Sequence, residues 1–107
     1  MQRVGFVIKV KPDKLDEYRR LHAQVWPDLL AELRRAGLRN YSLWLGPDGT
    51  EFGYLECDDW AAACAYLDGS AVHARWQRLM QNYLDTPIDA GAGGQPVRML
   101  ERVFVME

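Results

Sequence analysis

Tyr18, His22 and Trp26 recur at every fourth position of one amphipathic stretch, which places all three on a single helical face. An imidazole has an ordinary pKa close to neutrality, so a small change of environment makes it an acid or a base. Aromatic neighbours on either side would supply flat apolar walls and a few polar tips, the ingredients of a pocket for a small polar molecule. On a helical wheel His22 falls near the middle of a stripe made by Leu21, Val25, Tyr18, Leu29, Leu15, Leu33 and Trp26, and so is expected to face a sheet and not solvent. Taken alone, this spacing favours a hydrogen-bonded core histidine over a catalytic one. Trp76 offers another aromatic wall on a later helix, and Tyr41 lies early in a strand; by pattern each is as well explained by core packing. His73, at the edge of its own helical stripe, reads as structural or partly exposed.

Other chemistries have little support. Two histidines with no His-x-x-x-His pair and no carboxylate cluster do not suggest a metal site. The sequence has no GxGxxG and no P-loop, so no nucleotide cofactor is indicated, and it has no nucleophile elbow of a serine hydrolase. Asp58-Asp59 is more simply a helix cap than a pair of catalytic carboxylates. Acid–base chemistry without a cofactor or metal is the reading left.

The elements that position these residues follow from the local pattern. Val4, Phe6, Ile8 and Val10 alternate as in a β-strand, and Pro12-Asp13 is expected to stop it and cap a helix. Gly37 suits the C-terminal end of that helical stretch, and Pro27 inside it demands a kink or a fresh start. A strand from about 39 to 45, the turn Gly46-Pro47-Asp48-Gly49, and a strand from 51 to 57 make a hairpin. A short alanine-rich helix follows Asp58-Asp59, and Ser70 caps another that carries Trp76. Residues 86–96 read as a loop rich in Gly, Pro and Ala, and 97–106 as the last strand.

The order β-α-β-β-α-β implies an α+β, ferredoxin-like fold: an antiparallel four-stranded sheet with helices on one face, in one domain spanning 1–107. At 107 residues, 49% hydrophobic and 26% charged, the chain has a globular composition and a small core. Both faces of the sheet are apolar in the second and last strands, which points to a homodimer covering the face the helices leave open. The formal charge of −2 offers no concentrated positive surface, so neither nucleic acid nor an anionic membrane is an expected partner. Two cysteines without CxxC spacing, no signal peptide and no membrane-spanning run make a cytoplasmic protein the expectation.

The run Tyr18-Arg19-Arg20-Leu21-His22, continuing through Val25-Trp26-Pro27 to Asn40-Tyr41, resembles the L-rhamnose mutarotase family, as do Arg75-Trp76 and Val103-Phe104. The resemblance implies a dimeric α+β barrel that interconverts the α and β anomers of L-rhamnose, or of a related 6-deoxy hexose, without a cofactor. By the same resemblance His22 is the proton donor, Tyr18, Tyr41 and Trp76 contact the monosaccharide, and Trp26 is a supporting wall. Gln77 stands where the family has a second tryptophan, and 86–96 replaces its Asn-Pro-Asp-Asn-Ser-Pro loop. Both departures bear on which pyranose is preferred. Two other readings suit the same fold: a cofactor-free monooxygenase or isomerase, and a small-ligand binding module without catalysis.

Overall fold

The computed structural model describes residues 1–85 and 97–107. β1 (Gln2–Lys9) is followed by a 3₁₀ turn (Pro12–Lys14), α1 (Leu15–Ala23) and α2 (Pro27–Arg35). Then come β2 (Arg39–Leu45), β3 (Thr50–Cys57), α3 (Trp60–Asp68), α4 (Ala71–Met80) and β4 (Arg98–Leu100). The strands form one antiparallel sheet in the order β2-β3-β1-β4, the ferredoxin-like order expected. The expected loop at 86–96 lies outside the described residues.

Strand alternation sets the core. Val4, Phe6 and Ile8 of β1 are buried, and on β3 the buried positions are Glu51, Gly53, Leu55 and Cys57. These meet Tyr18, Leu29, Leu67, Trp76 and Met80 from the helices. The opposite face carries Trp44 and Phe52, which are cross-strand partners and largely exposed.

Most local expectations hold for the anticipated reasons. Asp59 accepts a hydrogen bond from the Ala62 N–H at 3.1 Å, and Ser70 Oγ accepts one from the His73 N–H at 3.3 Å. Gly37 ends α2 with φ 94°, a conformation a side chain would resist. Pro27 gives a fresh start: Trp26 is extended (φ −56°, ψ 129°) and Pro27 is the first residue of α2.

Two expectations fail. Asp13 caps nothing, because the chain tightens into the 3₁₀ turn before α1, whose N-terminus has no side-chain cap. The last strand is also shorter than the pattern 97–106 suggests. Only Arg98–Leu100 pairs with β1, and residues 101–107 are exposed and carry no strand, with Val103, Phe104 and Met106 open to solvent. Alternating apolar residues mark a segment that needs cover, and these find no pairing strand among the described residues.

Candidate active site

The structure brings all five predicted site residues together between the helices and the inner face of the sheet. α1 supplies Tyr18, which is buried, and His22 one turn later, which is half-buried at the mouth of a cleft. Their rings lie 4.2 Å apart by centroid. His22 meets Trp76 of α4 edge to face at 5.4 Å, and Trp76 meets Trp26 in the same manner at 5.1 Å. His22 therefore does not sit deep against the sheet as a continuous helical wheel suggests. The helix breaks at Gln24–Trp26, so the stripe turns, and the imidazole is left at the rim.

The break does not cost Trp26 its place. Besides its contact with Trp76, it has the Arg75 guanidinium 5.8 Å from its ring centre, and Arg75 reaches Asp28 at 3.5 Å.

Tyr41 enters from β2 through an irregularity. Between Arg39 and Ser42 the pairing with β3 slips by one residue, and Asn40 takes a positive φ of 49°. Asn40 Nδ2 donates to Glu56 Oε1 at 2.7 Å and Arg39 pairs with Asp58 at 3.0 Å, which ties down the bulge. Tyr41 thereby shares the inward parity of Leu43. The spaces it borders include an open cleft of about 690 Å³ that it lines with His22, Arg34 and Arg39, and an inner cavity of about 80 Å³ shared with Tyr18, Trp76 and Gln77. The larger is of a size typical of small-molecule sites.

His22 is held in a defined tautomer. Its Nδ1 lies 2.9 Å from the Tyr18 main-chain oxygen, which can only accept, so Nδ1 carries the proton and Nε2 of the neutral ring is an acceptor. Burial holds its pKa below the ordinary histidine value, with the Tyr18 carbonyl pulling weakly the other way. At neutral pH the imidazole is a base.

One residue the motif did not suggest belongs here. Glu51, at the start of β3, is only 2% exposed, and the Tyr18 hydroxyl donates to its Oε2 at 2.5 Å. Burial pushes the Glu51 carboxyl up, and the Tyr18 hydrogen bond draws it partly back. Burial and the neighbouring carboxylate raise the Tyr18 phenol in turn, and desolvation and the same carboxylate raise that of Tyr41, which is still 40% exposed. The signal was in the sequence: Glu51 has the inward parity of Gly53, Leu55 and Cys57, which makes it an acid on a core face.

His73 is buried and structural, with Nε2 3.4 Å from the Gln77 side-chain amide.

Residues 3–106 match the profile of the L-rhamnose mutarotase family. An L-rhamnose mutarotase of Acidiphilium cryptum is 35% identical over 105 residues, covering 97% of each chain. One of Oceanobacillus iheyensis is 34% identical over 90 residues, covering 83% of this chain and 86% of the relative. Among solved structures, an L-rhamnose mutarotase from Formosa agariphila superposes with a TM-score of 0.80 at 22% identity and full coverage of both chains, a likeness of fold. Together these place the chain among the carbohydrate isomerases built on a ferredoxin-like sheet. Within that class it belongs to the L-rhamnose mutarotase family.

Proposed function

We propose that this protein catalyses exchange between the α and β anomers of L-rhamnose or a related 6-deoxy hexose, with His22 as the general acid/base. The observation that carries the reading is the Nδ1 contact of His22 with the Tyr18 carbonyl, which commits one ring nitrogen and leaves Nε2 to exchange a proton at the cleft. Opening a pyranose requires removal of the anomeric hydroxyl proton and delivery of a proton to the ring oxygen, and closure on the other face reverses both. His22 accepts in the first half and donates in the second. Positioned acid–base catalysis of this kind contributes about 10²–10⁴-fold. Tyr18 and Tyr41 offer hydroxyls to the sugar, Trp76 an apolar wall for the ring and its methyl group, and Trp26 the support behind Trp76.

The working unit in this proposal is a homodimer in the cytoplasm. Trp44, Phe52 and Leu100 are exposed on the face the helices leave open, at 69%, 54% and 46%, and the apolar residues of 101–107 are exposed with them. A second copy of that face would cover them. The described residues include no helix long and apolar enough to cross a membrane, and Cys57 and Cys64 are free thiols, as a reducing compartment would keep them.

The test is NMR exchange between the anomers of L-rhamnose, with L-fucose and D-glucose beside it, using wild type and His22→Ala. Faster exchange that the variant loses supports the reading. A folded wild type that accelerates none of the three sugars overturns it.

A further inference from the structure

We propose that Glu51, acting through the Tyr18 hydroxyl, is the second proton-carrying group of the reaction, working opposite His22. The inference rests on the mutarotase reading and adds to it the partner a single imidazole lacks. In ring opening one proton must leave and another must arrive at a different oxygen, so one group cannot complete the step by itself.

The geometry supplies the second group. Glu51 is almost fully enclosed and its Oε2 is 2.5 Å from the Tyr18 oxygen. Tyr18 is one helical turn from His22 and lines the inner cavity beside Tyr41. A buried carboxylate with no ion pair among the described residues is costly in a purely structural role, where an apolar residue on the same strand position would pack as well.

The step balances as follows. Nε2 of neutral His22 takes the proton of the anomeric hydroxyl, and the electron pair of that O–H bond becomes the second bond of the aldehyde. The bond between the anomeric carbon and the ring oxygen breaks with its pair on the ring oxygen. That oxygen takes the Tyr18 hydroxyl proton while Tyr18 takes one from the protonated Glu51 carboxyl. The open-chain aldehyde then stands between an imidazolium and a carboxylate. Closure on the opposite face returns both protons, and nothing is consumed. The structure, with Tyr18 donating to the Glu51 carboxylate, has the hydrogen-bond direction of the opened half.

Burial acts in the same sense on both groups, raising the carboxyl and lowering the imidazole, as befits an acid and a base that exchange roles. The titratable groups facing Glu51 are Tyr18 from α1 and Tyr41 from β2. From β1 its partner is the apolar Ile8, while Lys9 reaches the Asp48 carbonyl and Thr50. Around His22 they are Tyr18 on its own helix and, across the cleft, Arg34 of α2 and Arg39 of β2.

The experiment compares wild type, Glu51→Gln, Tyr18→Phe and the double variant in the anomer-exchange assay across pH. Glutamine can still accept the Tyr18 hydrogen bond but cannot supply a proton. Glu51→Gln is therefore expected to lose about 100-fold or more in kcat with KM little changed. It also loses the alkaline limb of the profile, where wild-type rate falls as pH rises through the titration of the acid. Tyr18→Phe loses the same limb, and the double variant falls no further than the worse single one. A Glu51→Gln enzyme with kcat near wild type, or a slower one with the alkaline limb intact, overturns the relay. Should Glu51→Gln not fold, Tyr18→Phe decides: loss of the limb supports the relay and its retention overturns it. A wild type inactive on L-rhamnose, L-fucose and D-glucose overturns both this and the mutarotase reading, whereas an active wild type indifferent to Glu51→Gln overturns this one alone.

Discussion

The Phe6 ring lies directly over Gly53, its cross-strand partner, so closely that a Cβ on Gly53 would come within 2.2 Å of the ring. The same ring meets Tyr41 edge to face with centroids 6.1 Å apart. A missing side chain in β3 thus lets a β1 residue reach across the sheet and brace a residue of β2 that lines the cleft. Gly53 matters for its close approach and not for an unusual backbone angle.

Gly53→Ala tests this brace. The added methyl must displace Phe6, and overpacking of this kind costs about 1–3 kcal/mol. Urea unfolding should show that loss, and KM should rise as Tyr41 shifts. Adding Phe6→Leu should recover part of the stability, because the two substitutions touch the same space. An unchanged midpoint in the single variant would mean that the ring swings aside freely.

Burial lowers the His22 pKa, so the neutral base persists below the ordinary histidine value of about 6.5. The sign follows: the rate is retained on acidification past that value and falls only as pH drops through the lowered pKa, where the imidazole gains its proton. kcat/KM measured between about pH 4.5 and 8 should show this acidic limb. A rate that already falls with acidification above the ordinary histidine value would contradict the lowered pKa. His22→Ala should abolish most of the acceleration at every pH while its circular dichroism stays native.

How far the site was legible depended on the range of the interactions involved. Asp59, Ser70, Gly37, Pro27 and the 46–49 turn act on the backbone within a few residues, and the sequence discloses them directly. Tyr18 and His22 were legible as a helical spacing, whereas Trp26 reaches the site across the break between α1 and α2. Their meeting with Tyr41 and Trp76 is tertiary, and only the family resemblance joined them. Glu51 shared the inward parity of β3, but nothing local pairs it with Tyr18, 33 positions away. The shortened last strand has a different cause. The pattern of 97–106 recorded that the segment is apolar on both sides, and pattern alone cannot say whether the cover comes from the same chain.

The open face of the sheet gives the next prediction. Trp44 and Phe52 are directly paired across β2 and β3 and neither is buried within the chain. Trp44→Lys should therefore leave the fold intact while placing a charge in the centre of a self-complementary contact. Sedimentation should show a dimer for wild type and a monomer for the variant, with similar far-ultraviolet circular dichroism. A wild type that sediments as a monomer, or a Trp44→Lys variant that stays dimeric, would put the contact elsewhere.

Gln77 offers the sharpest handle on which sugar is preferred. It is half-buried, borders the inner cavity with Tyr18 and Trp76, and has its amide 3.4 Å from His73 Nε2. An amide there can hydrogen-bond a sugar hydroxyl, and sites built to hydrogen-bond a hydroxyl discriminate strongly against a substrate that presents it wrongly. Gln77→Leu keeps most of the volume and removes that ability. It also strips His73 of a partner, at a cost of about 1–3 kcal/mol in stability. The ratio of kcat/KM for L-rhamnose to that for L-fucose should change by about tenfold or more, since these sugars differ in how their hydroxyls are directed. Because lost stability lowers both rates equally, the ratio separates recognition from folding. A ratio unmoved by Gln77→Leu would confine Gln77 to the support of His73 and leave discrimination to Tyr18, Tyr41 and Trp76.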